Sequence, residues 1–179
     1  MIKILGISGS LRAGSSNNIV MKIVAGIMPE NVEFTIYEGL GSLPHFNDPE
    51  IIPPEVEDFR HLLKEANGVF ICTPEYAFGV PGSLKNALDW TVGAGDFDRK
   101  PVALVTASSV GDKGHASLLQ TLTAISADIV EGGTLLISFI RSKLNQKGEM
   151  IDPVTSEALR SVVDALIKRV EWCLSATGD

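Results

Sequence analysis

A chain of 179 residues is the size of one domain with one core, able to bury roughly 70% of the surface its unfolded form exposes. Lys and Arg number 15 against 22 Asp and Glu, a formal net charge of −7; this argues against nucleic-acid binding, because a phosphate backbone is neutralised by clustered cations. The hydrophobic share is 45% and the charged share 21%, a globular balance that leaves no room for long disorder.

The chain opens with an apolar, β-branched run, Ile2 to Ser8, which predicts a strand buried on both faces. A Ser- and Gly-rich stretch follows. Ile19, Val20, Ile23, Val24 and Ile27 then fall on one stripe of a helix that Pro29 stops. Val32 to Tyr37 alternates apolar and polar residues, as an edge strand does. Gly39 to Pro54 reads as a loop, but one carrying Leu40, Leu43, Phe46, Ile51 and Ile52, so it must cover its own domain or a partner subunit. Helical spacing resumes from Glu55 to Ala66. Further buried strands are predicted at Gly68 to Thr73 and Pro101 to Ala107, and the last strand within Ile129 to Ile137. Helices are predicted at Ser83 to Trp90, around Leu118, Leu119, Leu122 and Ile125, and over the C-terminal stretch from Leu159 to Leu174. No repeat or linker interrupts this order, so residues 1–179 are expected to form a single domain.

Strand and helix alternate about five times, and strands apolar on both sides need helices on both sides: an α/β doubly wound parallel sheet. In such sheets ligands bind at the carboxyl ends of the strands, where the strand order reverses. The loops after Ser8, Thr73 and Ala107 are the ones to inspect, and they are rich in Gly, Ser and Pro.

The first of these, Gly9 to Asn18, enters a helix N-terminus, where free N–H groups and the helix dipole favour an anion. Ser10, Ser15 and Ser16 hydroxyls, the Asn17 amide and the Arg12 guanidinium would add donors for a phosphate monoester. A P-loop is excluded, since Ser15 stands where the Lys is required, and Gly6, Gly9 and Gly14 do not make a dinucleotide fingerprint. Two readings stay open here, a phosphate cradle and a polar turn with an N-cap Ser. The second loop, Thr73 to Gly82, can present backbone groups to a flat heteroaromatic ring with Tyr76 or Phe78 near its face, or can simply cap the sheet. The third, Ser108 to Ala116, would close the other side. His45, His61 and His115 lie in separate segments without metal-ligand spacing, no nucleophile elbow occurs, and no acid, base, nucleophile or metal ligand is assigned. Cys72 and Cys173 are expected to be reduced core residues of a cytoplasmic protein, and no signal peptide or membrane span is expected.

The runs Gly9-Ser10-Leu11-Arg12-Ala13-Gly14-Ser15-Ser16-Asn17, Thr73-Pro74-Glu75-Tyr76 and Pro81-Gly82-Ser83-Leu84-Lys85-Asn86-Ala87-Leu88-Asp89-Trp90 resemble the NADPH-dependent FMN reductase family of quinone, chromate and azo-dye reductases. The likeness covers nearly the whole chain. It implies a flavodoxin-like three-layer sandwich with a five-stranded parallel sheet in the order 2-1-3-4-5. It also implies FMN phosphate contacts from Ser10, Arg12, Ser15 and Asn17, ring contacts from Pro74, Glu75, Tyr76, Phe78 and Gly79, and Ser108 and Gly111 near the isoalloxazine. Ala77 stands where the family often has Asn, at the ring edge. The implied activity is ping-pong transfer of hydride from NADPH or NADH to bound FMN, then to a quinone, free flavin or similar small acceptor. The alternative is a non-catalytic FMN electron carrier or redox sensor. The resemblance further implies a homodimer or homotetramer with flavin sites near the subunit interface.

Overall fold

In the computed structural model, which describes residues 1–176, the predicted alternation is present as five strands and five helices. In chain order these are β1 (Ile2–Ser8), α1 (Ser16–Ile27), β2 (Val32–Tyr37), α2 (Pro54–Glu65), β3 (Gly68–Thr73), α3 (Gly82–Val92), β4 (Pro101–Ala107), α4 (Asp112–Ala124), β5 (Asp128–Ile137) and α5 (Pro153–Ala176). All strands are parallel, in the order β2-β1-β3-β4-β5, so the order reverses between β1 and β3. The period-two alternation of the central strands sorts their side chains into two cores. Ile4, Phe70, Cys72, Ala103 and Val105 face α1 and α5, whereas Leu5, Ile7, Ile71 and Leu104 face α2, α3 and α4. Every residue of β3 and β4 is buried, as strands covered on both faces must be.

Element boundaries shift slightly from expectation. α3 extends two residues past Trp90, and Ile125 caps α4 rather than lying within it. Cys72 is buried, but Cys173 is only partly so, because α5 turns its last turns toward solvent. The apolar loop between β2 and α2 covers its own chain. Trp90 Nε1 and Asn86 Nδ2 donate to the Pro44 carbonyl at 2.8 and 2.9 Å, and Phe46 meets Trp90 edge to face at 5.1 Å. Leu40 and Leu43 of the same loop are buried, whereas its Ile51 is exposed. Among the described residues no helix is long and apolar enough to cross a membrane.

Candidate active site

The switch between β1 and β3 opens onto a cavity of about 620 Å³, within the range of small-molecule sites. Its first wall is the β1–α1 loop. Gly14 makes the bend in the left-handed region (φ +67°), and Ser15 then caps α1, its Oγ accepting the Asn18 N–H at 3.1 Å. A helix start leaves its first N–H groups without intrahelical acceptors, and after this cap those of Ser16 and Asn17 remain at the cavity. Ser10 and Arg12 line the same end. Ser10 is buried, and its Oγ has no hydrogen-bond partner among the described residues. A buried hydroxyl left unsatisfied costs about 1–3 kcal/mol.

Asn17 sits at this wall in a different role from the one expected of its amide. Its Nδ2 donates to the Ala107 carbonyl at 3.1 Å, and its Oδ1 accepts from Cys72 Sγ at 3.3 Å. Burial pushes the Cys72 thiol well up from its ordinary value, so it stays protonated and can donate. Asn17 therefore ties the α1 N-terminus to the ends of β3 and β4, and what it offers the cavity is its backbone N–H.

The second wall is Pro74, Glu75 and Tyr76. Glu75 is held from two sides: its N–H donates to Ser108 Oγ at 3.3 Å, and its Oε2 accepts the Gly114 N–H at 2.6 Å. A carboxylate at the first turn of α4 complements the helix dipole; Glu75 is thus a brace between the second and third loops. Tyr76 to Gly79 form a tight turn with both cross-bonds made, Tyr76 N–H to Gly79 O at 3.1 Å and Gly79 N–H to Tyr76 O at 2.9 Å. Ala77 (φ 49°) and Phe78 (φ 61°) both adopt the left-handed conformation that such a turn demands. Each non-glycine residue there is strained by roughly 1–2 kcal/mol. Substituting Ala77→Gly is therefore expected to stabilise the protein by about 0.5–1 kcal/mol after the greater freedom of an unfolded glycine is discounted, read as a rise in the thermal midpoint. Ala77, Phe78 and Gly79 lie outside the cavity lining, and Phe78 is 78% exposed.

The third wall is Ala107, Ser108 and Ser109, with Gly111 just beyond as the left-handed cap of α4 (φ 98°). Behind it, burial lowers the His115 pKa and keeps the ring neutral, consistent with its 2.9 Å contact to Thr106 Oγ1. A fourth wall was not anticipated from sequence: Phe139, Ile140, Arg141 and Ser142, the turn that follows β5. Its signal is slight, a basic residue after the last strand. Among the described residues no cluster of His, Cys, Asp and Glu could hold a metal ion.

Strand order 2-1-3-4-5, with a helix N-terminus opening onto the cavity at the switch point, defines a flavodoxin-like α/β protein. The family described as NADPH-dependent FMN reductase matches residues 2–141, and the chain belongs to it. It is 32% identical over 174 residues to an NAD(P)H-dependent FMN reductase of Pseudomonas aeruginosa, covering 92% of this chain and 93% of that one. It is 33% identical over 184 residues to a quinone reductase of Escherichia coli K12, with 95% and 97% covered. Among solved structures it is similar to FerB, a flavoenzyme NAD(P)H:(acceptor) oxidoreductase of Paracoccus denitrificans, with a TM-score of 0.78, 26% identity, and 96% and 98% of the two chains covered.

Proposed function

We propose that this protein is an FMN-dependent NAD(P)H oxidoreductase that reduces quinones, free flavin or similar small acceptors. The observation that carries the flavin assignment is Ser10 Oγ, a buried hydroxyl without a partner, at a cavity end that also holds the Arg12 guanidinium and the open N-terminus of α1. A phosphate monoester satisfies all of these donors at once. In this reading Ser10, Arg12, Ser15, Ser16 and the Asn17 N–H hold the phosphate. Pro74, Glu75, Tyr76 and Ser108 bound the ring, and Ala77, Phe78, Gly79 and Gly111 shape its edge from outside the cavity.

Bound FMN supplies the hydride acceptor and donor, chemistry that no side chain of this chain provides. The protein's part is positional. Glu75 locks the second loop to α4, Asn17 locks the α1 N-terminus to β4, and the distance between phosphate cradle and ring walls is set by those two ties. With one cavity for both, reductant and acceptor enter in turn. Residues 1–179 act as one domain, consistent with two cores that share one sheet, and the protein acts in the cytoplasm. Exposed Tyr76, Phe78 and Val110, on the second and third loops, supply apolar area for a homodimer or homotetramer.

The test is spectroscopic. FMN added to purified protein is expected to bind and raise the thermal midpoint, and anaerobic NADPH or NADH to bleach the flavin absorbance, which a quinone then restores. Absence of FMN binding would sink the flavin reading. Binding without bleaching by either nucleotide would make the protein an electron carrier.

A further inference from the structure

Two guanidiniums line the cavity, Arg12 and Arg141. Neither has an ion-pair partner among the described residues; of the other four arginines, Arg60, Arg99 and Arg169 are each paired with a carboxylate and the exposed Arg160 is not. Under the flavin reading, on which this inference rests, the ligand brings one phosphate, and Arg12, Ser10 and the α1 N-terminus already meet it. Arg141 is surplus to that anion. The cavity wall has a single carboxylate, Glu75, and its Oε2 is engaged by the Gly114 N–H. Nicotinamide sites that take NADH commonly offer a carboxylate to the ribose 2′-hydroxyl, and those that take NADPH offer Arg to the 2′-phosphate. Here the wall holds an arginine without an ion-pair partner and a carboxylate with one oxygen already bonded to the backbone of α4.

The turn that carries Arg141 is built to hold its shape. Phe139 sits in the left-handed region (φ 55°, ψ 37°), a strain that persists only where the surroundings over-determine it. They do so here. Phe139 N–H donates to Ser109 O at 3.0 Å, Ile140 N–H to Ser108 O at 3.2 Å, and Ser142 N–H to Phe139 O at 2.9 Å. Ser138 Oγ donates to Val110 O at 2.8 Å. Ile140 is buried between its neighbours, so Phe139, 66% exposed, and the exposed Arg141 project from a fixed base. An exposed aromatic face suits a purine, and a guanidinium forms bidentate bonds to a phosphate.

We propose that the turn from Phe139 to Ser142 receives the adenosine end of the reductant, with Arg141 taking its 2′-phosphate and selecting NADPH over NADH. The experiment uses the FMN-loaded protein and its R141Q and R141K variants. Wild type is expected to prefer NADPH in kcat/KM and to be inhibited more strongly by adenosine 2′,5′-bisphosphate than by AMP. R141Q is expected to lower the NADPH-to-NADH ratio of kcat/KM by about 10- to 100-fold, the scale of a charged hydrogen bond, mainly through KM, and to abolish the preference for the bisphosphate. R141K is expected to restore part of both. Equal losses with NADPH and NADH would assign Arg141 to the shared diphosphate and overturn the proposal. So would a weakened FMN affinity, which would place Arg141 at the flavin, or an unchanged nucleotide ratio. Failure of the wild type to bind FMN would remove the flavin reading and this inference together, whereas intact FMN binding with an unaltered ratio removes the inference alone.

Discussion

Replacing Arg12 with Ala is expected to weaken FMN binding by about 10- to 100-fold, the range for losing one charge-assisted hydrogen bond to a phosphate, with the thermal midpoint of the unliganded protein unchanged. The asymmetry follows from position. Arg12 is exposed at the cavity, and no carboxylate pairs with it among the described residues, so the folded chain loses nothing when the side chain is removed. Ser10→Ala separates the two effects further. It deletes a buried hydroxyl that has no partner, so the unliganded protein should be as stable or slightly more stable while FMN affinity falls. Flavin-fluorescence titration and a urea melt of each variant check both halves; unchanged affinity in Arg12→Ala would remove that residue from the phosphate site. Raising the ionic strength should weaken wild-type binding more than that of the Arg12 variant, because part of the attraction at an exposed charge is screened.

Gly9→Ala is expected to destabilise the fold by about 1–3 kcal/mol, the usual cost of overpacking, and to impair FMN binding with it. Gly9 donates its N–H to the Cys72 carbonyl at 2.8 Å, which joins the end of β1 to the end of β3. A methyl group added there would stand against Thr73 Oγ1, 2.9 Å from Thr73 Cβ and 3.1 Å from Leu84 Cδ2. Thr73 is buried, and its Oγ1 donates to the Pro74 carbonyl at 3.1 Å. It can give way only by moving the start of the second loop, so the ring wall shifts with it. A urea melt and an FMN titration that both match wild type would show that the approach of β1 to β3 does not set the cavity width.

The layered fold was legible because its signals are local and repeated. Strands such as Val69 to Cys72 and Val102 to Val105 are apolar at every position, which only a sheet covered on both faces permits. The capped start of α1 was legible for the same reason: Gly14, Ser15 and the helix start are contiguous. Asn17 and Glu75 line the cavity, and their side chains tie its walls together. Their side chains are spent on Ala107 and Gly114, 90 and 39 residues away, contacts that no local pattern encodes. The loop from Gly39 to Pro54 announced an apolar cover, while its target, Trp90 and Asn86 of α3, became clear only from the packing.

The alternation of strand and helix and the polar turn that enters α1 were written in the sequence alone, because each rests on neighbours within a few residues; the parallel direction of the sheet follows from that alternation along the whole chain. Which side chains share the cavity was decided by the tertiary structure. The turn after β5 reaches it only because β5 pairs beside β4, bringing residues 139–142 against Ser108 and Ser109. A single arginine after the last strand carries no pattern of its own. The fold sets it in the same cavity as Arg12, about 130 residues earlier in the chain.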